Sequence, residues 1–562
     1  MPERIFVGVA WPYANGSLHV GGIAGAYLPP DIFARYHRTV GNDVLMVSGS
    51  DVHGTPITVR AREEGRSPAE VANQFHAEFL DCWERFGISF DLFTTTGTEN
   101  HARVTQDIFL KLMEIGDIYL GKMDLPFCTV EQRFLLDRYV EGTCPICGFE
   151  GARGDQCDNC GNPLDPIDLK NPRCKFDGST PEIRESEHFF HRLSAYNEPL
   201  REWLQTGKEH WKRGVLNLSI STTTTGEGLR DRAITRDITW GIPIPVEGFD
   251  DKRIYVWFDA VIGYLSATIE WAETTGQPER WRDFWLDETC KMYNFMGKDN
   301  IWFHTLIWPA QLMGYRKATG EPYILPYDVP ANQFMTIKGS KISTSRRLAI
   351  WLPDYLERYD PDPLRYYLSA IMPEMADTDF TWAGFVQRNN DELVATWGNL
   401  VNRVLTFAYK NFDGRVPEPG ILTDADRALI AEAEKAIEQT GKHIAACSFR
   451  AALEAAMFAA REANKYVEEN APWKLLKEDR ERCATVLYTA IAAISGIKTA
   501  LYPFLPFTCQ KVHGYLGNEG PVEEAGWTLQ MPVAGRPLAE SQPLFRKLDP
   551  EIIEAEEARL GQ

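Results

Sequence analysis

Short apolar runs and helix-compatible stretches alternate at the start of the chain. Residues 5–10 form an apolar, strand-like run, a turn rich in Pro, Asn and Gly follows at 12–16, and a helical pattern runs from about 18 to 38. Residues 43–51 are predicted to form a second buried strand ending in polar residues, where a parallel sheet places its site. The pattern indicates the first half of a nucleotide-binding α/β domain.

The second half of this domain is predicted to lie beyond an insertion. Residues 120–180 are rich in Cys, Pro, Gly and Asp and have too little apolar content for a core of their own. Strand and helix signals return near 254–258 and 292–297. From about 391 to 509 Ala, Leu, Glu, Lys and Arg dominate with few prolines, which is typical of a helical bundle. The tail from 514 onward has turn residues, one apolar patch and an acidic end.

We therefore predict an α/β protein with a Rossmann-type parallel-sheet domain that is split by an insertion and followed by an all-α domain. The predicted boundaries are 1–118 and 231–330 for the two halves of the sheet domain, 119–230 for the insertion, 331–388 for a connecting region, 389–515 for the helical domain and 516–562 for the tail.

Composition narrows the classes of protein that remain. With 44% apolar and 25% charged residues the chain is ordinary for a soluble protein, and we expect no apolar run long enough to cross a bilayer and no membrane partner. The first residues lack the parts of a signal peptide, so a cytoplasmic location is expected. A net charge of -20 argues against a protein that coats DNA, so a nucleic-acid partner would need a local basic face.

The spacing of four cysteines predicts a metal site. Cys144, Cys147, Cys157 and Cys160 form two Cys-x-x-Cys units, as tetrahedral zinc requires. Four thiolates leave no open position for a reacting water, so the zinc would be structural. This use of cysteine favours a reducing compartment.

Two further segments suit phosphate groups. Residues 15–22 (Asn-Gly-Ser-Leu-His-Val-Gly-Gly) follow a strand and open a helix, where free N–H groups and the helix dipole favour anions. Residues 338–347 (Lys-Gly-Ser-Lys-Ile-Ser-Thr-Ser-Arg-Arg) are basic and rich in hydroxyls. Taken alone, the first fits a tight turn equally well and the second fits a solvated loop.

Together these two segments resemble the paired signatures of class I aminoacyl-tRNA synthetases, His-Ile-Gly-His and Lys-Met-Ser-Lys-Ser. Blocks along nearly the whole chain resemble the methionyl-tRNA synthetases, most closely their archaeal-type branch; they lie at 10–16, 51–56, 235–243, 255–260 and 297–299. The resemblance implies a class I Rossmann catalytic domain split by a zinc-binding insertion, a signature-loop and stem-contact region at 331–388, and an anticodon-binding helical domain.

The resemblance also implies the reaction and its ligands. Magnesium-ATP and L-methionine would give methionyl-adenylate and pyrophosphate, and tRNA(Met) would then accept the methionine, with no protein nucleophile required. The implied catalytic residues are His19, Arg236, Lys298 and Lys341. The implied ATP-binding residues are His19, Gly21, Gly22, Gly297, Asp299, Lys341 and Thr344.

Methionine and the anticodon have their own implied contacts. Asp51 would pair with the substrate ammonium, and the residues expected to form the side-chain pocket are Trp11, Tyr13, Trp257, Tyr264 and His304, since aromatic faces suit a thioether. The implied anticodon readers are Asn399, Arg403, Pro472 and Trp473, of which the first two project from one helical face and Trp473 would stack on a base.

The chain departs from the family pattern at several positions. Gly22 stands where the second signature histidine is usual, and Thr344 replaces the second loop lysine. The pocket differs at Trp11, Val261 and Ile307, which motivates the hypothesis of a second, inhibitor-insensitive methionyl enzyme.

The departure at Gly22 leaves two other functions open. These are a synthetase-like paralogue that binds tRNA without charging it, and a ligase that passes the adenylate to another acceptor. The chain ends soon after the helical domain, so a monomer is expected.

A second pair of knuckles seen in some relatives survives only in part. Cys128 with Glu131 and Cys174 with Asp177 each retain one cysteine and carry a carboxylate in place of its partner. A site that has lost its metal is the simpler interpretation, and we predict one zinc.

Overall fold

The computed structural model describes residues 2–154, 157, 159–160, 164–224, 228–342 and 348–560. Its centre is a five-stranded, all-parallel sheet, in which Arg4–Val9 lies between Asp43–Ser50 on one side and Lys291–Gly297 on the other. Leu92–Thr95 and Ala331–Asn332 are the edge strands. The sheet therefore joins strands from both sides of the insertion, which confirms the predicted split Rossmann-type domain.

Helices cover both faces of this sheet because its strands are apolar on both sides. A continuous helix follows the first strand through Val20–Gly22, a π-helical turn at Ile23–Tyr27, and Leu28–Val40. The other helices of the first half are Thr55–Glu64, Pro68–Phe86 and Glu99–Glu114. Those of the second half are Val256–Asp259, Ala260–Ile262, Gly263–Thr274, Trp281–Trp285, Lys298–Asn300, Phe303–Ile307 and Trp308–Thr319.

The insertion is built on a long antiparallel pair of strands, Ile118–Cys128 and Glu182–His191. Arg133–Phe134 and Arg232–Ala233 extend this sheet, and Val140–Thr143, Ala152–Arg153 and Lys170–Cys174 form a second, smaller one. Short helical segments lie at Asp137–Tyr139, Pro166–Asp168, Leu193–Tyr196, Asn197–Leu204 and Arg213–Thr224. The small sheet has its own buried cluster, contrary to the sequence-based expectation, because four buried cysteines supply part of its apolar content.

The strand and helix signals near 254–258 correspond to one short strand followed by a helical turn. Only Arg253–Ile254 is extended, and it pairs with Thr235–Arg236, whereas Val256–Asp259 is helical. A short apolar run does not by itself distinguish a strand from a buried helical turn.

The connecting region places a hairpin beside the main sheet. Met335–Ile337 pairs with Ser340–Lys341 and with Thr378–Phe380. Two helices, Leu352–Leu356 and Pro361–Ala370, lie between these strands in the sequence.

The all-α domain begins with Trp382–Arg388, a π-helical segment at Asn389–Gly398 and Asn399–Asn411. The bundle continues with Asp424–Ala445, Phe449–Asn470, Pro472–Glu478, Arg480–Leu501 and Pro506–Tyr515. The tail adds a turn at Glu523–Ala525 and a terminal helix, Glu551–Arg559, that the sequence reading did not predict.

One bundle helix corrects the expectation about apolar runs. Arg480–Leu501 has the length and a hydropathy of 1.4 that would suffice to span a membrane, although 94% of that window is buried inside the protein. Its apolar side chains pack against neighbouring helices of the bundle, as in the central helix of a helical domain.

Candidate active site

The candidate site lies at the carboxyl ends of the central strands. The loop that follows the first strand is joined to both neighbouring strands, because the Ala10 amide donates to the Phe295 carbonyl at 2.9 Å and the Asp51 amide donates to the Pro12 carbonyl at 2.8 Å. The first signature, the 51–56 block and the 297–299 block therefore meet at one edge of the sheet. This is where an open parallel sheet binds its ligands.

His19 caps the helix that opens the first signature. Its Nδ1 accepts the Gly22 amide at 3.2 Å, so the neutral ring carries its hydrogen on Nε2. Burial lowers the pKa of His19 to about 4. His19 is thus a neutral hydrogen-bond donor near pH 7, and its ring also lies edge-on to Trp351.

The two signatures touch at Gly21. A Cβ at this position would lie 2.6 Å from Cδ1 of Ile342, the residue that follows the hairpin strand Ser340–Lys341. A Cβ at Gly22 would meet only ordinary contacts, the nearest at 3.6 Å. A Cβ at position 21 would therefore require the end of the Ile342 side chain to move, whereas a Cβ fits at position 22. Thr344 and the side chain of Lys341 lie outside the described residues.

The aromatic residues expected to form the methionine pocket are linked by hydrogen bonds in pairs. The Tyr264 hydroxyl and His304 Nε2 are 2.7 Å apart, and His304 Nδ1 donates to the Asn300 carbonyl at 2.9 Å. This bond requires that Tyr264 be the donor to Nε2. Burial lowers the pKa of His304 to about 4, so the ring is neutral. Trp257 donates its indole N–H to the Tyr13 hydroxyl at 2.9 Å.

Trp11 occupies space that two glycines leave free. A Cβ at Gly263 would lie 2.6 Å from the indole, and one at Gly49 would also overlap it. The Trp11 ring lies 6.5 Å from that of Tyr264, edge to face. Gly49 and Gly263 thus accommodate the larger residue that stands where leucine is common in the family.

Asp51 lies beside a second buried carboxylate that sequence reasoning missed. The His53 amide donates to Asp51 Oδ1 at 3.2 Å, and the His53 ring Nδ1 lies 2.8 Å from Asp259 Oδ2. Burial raises the pKa of both carboxyls, and the charge of Asp259 raises that of Asp51 further. Asp51 and Asp259 both lie in segments that resemble the family, 51–56 and 255–260. Their place in these segments was the only sequence signal for the second carboxylate.

The remaining predicted residues surround this edge of the sheet. Arg236 lies over the Tyr255 ring, 3.6 Å from its centroid, and donates to the Ala233 and Thr235 carbonyls. Lys298 pairs with Asp377 at 2.7 Å, so its ammonium is held at the rim. Asp299 turns back toward Gly297, where a Cβ would lie 2.8 Å from Oδ1.

The four cysteines of the insertion form a compact group. The sulfur atoms of Cys144, Cys147, Cys157 and Cys160 all lie within 4.8 Å of one another, and two pairs are 4.0 and 3.6 Å apart. Four thiolates about 2.3 Å from a tetrahedral zinc lie roughly 3.8 Å from each other, so the donor set and its spacing fit zinc.

The partial knuckles also come together. Ligand atoms of Cys128, Cys174 and Asp177 lie within 4.8 Å of one another. The Cys128 thiol donates a hydrogen bond to Oδ2 of Asp177 at 3.0 Å. Glu131 instead accepts two hydrogen bonds from Arg62, at 2.8 and 3.0 Å. Glu131, the fourth possible metal ligand of this group, is therefore paired with an arginine.

The predicted anticodon readers share one face of the bundle. Arg403 lies 5.3 Å from the Trp473 ring centroid and pairs with Glu468 at 3.1 Å. Asn399 is exposed, one turn before Arg403 on the same helix. Pro472 begins the short helix that carries Trp473, whose side chain remains 37% exposed and thus available for stacking.

Comparisons with known proteins cover the whole chain. A family model described as "tRNA synthetases class I (M)" matches residues 5–405, and one described as "Anticodon binding domain of methionyl tRNA ligase" matches residues 416–562. A methionine–tRNA ligase of Dehalococcoides mccartyi (strain ATCC BAA-2266 / KCTC 15142 / 195) is 55% identical over 561 residues, 100% of both chains. One of Thermomicrobium roseum is 50% identical, over 100% of this chain and 99% of its own.

Solved structures agree with these relatives. A Mycobacterium tuberculosis methionyl-tRNA synthetase bound by methionyl-adenylate matches with a TM-score of 0.79 at 27% identity, covering 97% of this chain and all of its own. The apo form of a synthetase from the same organism matches with a TM-score of 0.72, covering 98% of this chain and 99% of its own.

Proposed function

Since the chain belongs to the class I methionyl-tRNA synthetase family, we propose that the cleft described above activates methionine by alignment and charge stabilisation, without a protein nucleophile. The overall activity is methionine–tRNA ligation. The observation that carries it is the 55% identity over the full length of both chains.

In the first step a carboxylate oxygen of methionine attacks the α-phosphorus of ATP, and the bond to pyrophosphate breaks. Asp51 binds the ammonium, and Tyr13, Trp11, Trp257, Tyr264 and His304 enclose the side chain. Neutral His19, with its hydrogen on Nε2, donates to a phosphate oxygen, and the helix N-terminus beside it adds further N–H groups. In the second step the terminal hydroxyl of tRNA(Met) attacks the carbonyl carbon of methionyl-adenylate, the mixed-anhydride bond breaks, and AMP leaves.

Positive charge in the cleft comes from several sources. Arg236, Lys298 and Lys341 serve the substrate carboxylate and the phosphates, and Thr344 and Gly21 line the triphosphate. Asp299 holds the ribose beside Gly297. Magnesium bound with ATP would add charge neutralisation at the phosphate oxygens. Release of Lys298 from Asp377 would free its ammonium for the leaving group.

The proposal also covers the metal in the insertion, the cellular location and the oligomeric state. The four cysteines hold one structural zinc, which the closeness of their sulfur atoms supports. No disulfide joins cysteines in the described part of the chain, and a reducing, cytoplasmic compartment suits thiolates that hold zinc. We expect a monomer, whose sedimentation would give 63.8 kDa.

Methionine-dependent ATP–pyrophosphate exchange and tRNA charging, measured together on the wild type and Gly22→His, test this function. We expect both activities in the wild type, since a methionine–tRNA ligase matches the chain over its full length, and we expect the variant to fold, since a Cβ at position 22 meets only ordinary contacts. Exchange without charging would indicate another acceptor. Activity only in the histidine variant would mean that the wild-type cleft has lost its chemistry.

A further inference from the structure

Two buried carboxylates at the edge of the sheet are joined through a single residue. His53 donates its backbone amide to Asp51 and holds Asp259 through its ring, at 3.2 and 2.8 Å. Asp51 is 3% exposed and Asp259 is fully buried. Family resemblance assigns a ligand only to Asp51, which leaves the second carboxylate without a role in the reaction.

Among the described residues, no lysine or arginine forms an ion pair with either carboxylate. Oδ1 of Asp259 is buried and accepts no hydrogen bond from the described residues. In the same part of the chain the only ion-pair partner of either carboxylate is His53. A buried carboxylate oxygen without a hydrogen-bond partner is unfavourable. This arrangement therefore suits a cation that arrives with a ligand.

The position of Asp259 ties it to the methionine pocket. It is the last residue of the helix Val256–Asp259, which also carries Trp257. Trp257 donates to the Tyr13 hydroxyl, and the backbone of Tyr13 forms a bridge with Asp51. The two carboxylates and the two aromatic residues therefore form one connected unit.

We propose that Asp259, held by His53, is a second carboxylate of the methionine ammonium site, and that it makes the enzyme select a protonated α-amino group. An ammonium group has three donors and can be shared by two carboxylates. This inference rests on the proposed function. Absence of methionine-dependent exchange in the wild type would contradict the proposed function. The tests below instead compare variants of an active enzyme.

The first test separates charge from packing. Asp259→Asn should raise the KM for methionine by about 10- to 100-fold, the loss expected for one charge-assisted hydrogen bond, with the KM for ATP unchanged. Inhibition by methioninol, which keeps the ammonium, should weaken equally. Inhibition by 4-(methylthio)butanoate, which lacks it, should not weaken. Equal weakening of both inhibitors would overturn the proposal.

Asp328→Asn is the matched control for this variant. Asp328 is also buried, and burial raises its pKa to about 7, but its Oδ1 accepts the Val329 amide at 2.7 Å and the charges that act on it are Lys212 and Lys208. The control should leave both inhibition constants unchanged. If it altered them as Asp259→Asn does, the effect would belong to any buried carboxylate and the proposal would fail.

The pH profile gives a second readout. The titratable groups around the pair are Asp51, Asp259, His53 and His101, whose ring lies 6.5 Å from that of His53. The charge of Asp259 raises the pKa of Asp51. The Asp259→Asn variant, which removes this charge, should therefore shift the acid limb of kcat/KM for methionine to lower pH. An unmoved limb would overturn the proposal.

Calorimetry of the wild type keeps the proposal testable if the variant does not fold. Methionine binding measured in two buffers of different ionisation enthalpy, near the acid limb, should release protons as the carboxyls become charged. Binding without proton release would contradict the proposal.

Discussion

At the scale of single residues, the cleft depends on where side chains are absent. Gly21 lets Ile342 approach the first signature, and Gly49 and Gly263 leave room for Trp11. The missing signature histidine at position 22 is a different case, because a Cβ there meets only ordinary contacts. The two adjacent glycines should therefore respond differently to the same substitution.

Gly21→Ala should lower the rate of methionine-dependent exchange by about 10-fold, because the new methyl group would crowd the His19 ring, 3.2 and 3.3 Å away, as well as the end of the Ile342 side chain. Gly22→Ala, its matched control, should change the rate by less than about threefold. Steady-state exchange kinetics measure both. Equal effects of the two substitutions would contradict the assigned contact.

A buried histidine gives a prediction about pH and stability. Burial lowers the pKa of His191 to about 4, and its ring packs against Tyr196 and Phe258 at 6.0 and 6.3 Å. The unfolded chain binds this proton near pH 6.5 and the folded chain does not, so stability is lost as the pH falls from 6.5 to 4.

His191→Phe removes this loss and keeps the aromatic contacts. Relative to the wild type, the variant should gain about 2 kcal/mol on going from pH 7.5 to pH 5. Urea unfolding at both pH values measures the difference. An equal difference in stability between the variant and the wild type at both pH values would mean that His191 is protonated in the folded protein at pH 5.

At the scale of elements, the insertion combines one complete cysteine group with one incomplete group. In the second, Glu131 is engaged by Arg62, whose guanidinium also lies 4.1 Å from the Phe176 ring centroid. An ion pair and a stacked ring thus hold the knuckle that lacks two cysteines. This supports the prediction of one zinc per chain.

Metal analysis of the purified protein should give one zinc per chain. Cys144→Ser should lose it, because a closed thiolate site needs all four ligands. Cys128→Ser is the matched control and should retain the full content. Two zincs in the wild type, one of them lost in Cys128→Ser, would refute the prediction.

Trp473, the proposed anticodon reader, is exposed near the start of the short helix Pro472–Glu478. Trp473→Ala should lower kcat/KM for tRNA charging by about 10- to 100-fold, because stacking on one base contributes roughly 1–3 kcal/mol. Methionine-dependent exchange, which needs no tRNA, should be unchanged. Phe458→Ala removes another exposed aromatic residue of the bundle and should leave charging unaffected. Equal losses in the two variants would contradict base stacking at Trp473.

At the scale of the whole molecule, a buried ion pair joins the catalytic and helical domains. Arg365 donates to Asp31 at 2.6 Å and to the carbonyls of Pro503 and Phe504 at 2.9 and 3.0 Å. Burial raises the pKa of Asp31, but Arg35 and Arg365 outweigh it and hold the value at about 2. Asp31 lies on the helix that follows the first signature, so the cleft and the bundle share this contact.

Arg365→Leu should destabilise the protein by about 3–5 kcal/mol, because it leaves a buried carboxylate with part of its charge unpaired. The first transition in urea or thermal unfolding measures the change. Arg103→Leu removes an exposed pair, 3.7 Å from Glu273, and should change stability by less than about 1 kcal/mol. Similar shifts in both variants would contradict the role of the buried pair.

The sequence by itself determined the three inner strands of the central sheet, the helical domain, the cysteine group and the two signatures, whereas the edge strands Leu92–Thr95 and Ala331–Asn332 were not predicted. Each depends on residue type and local spacing, and periodicity or motif alone carries that information. The sequence left the exact structure of 254–258 open because the length of this run suits both a strand and a helical turn, and it did not predict the terminal helix Glu551–Arg559 because this helix has no strong apolar stripe.

Only the tertiary structure decided which distant residues share the cleft. Asp259 reaches His53 across 206 positions, and Arg365 reaches Asp31 across 334. The contact of Gly21 with Ile342 and the space around Trp11 are equally nonlocal. Such contacts arise from close packing of elements far apart in the chain, so no local pattern encodes them.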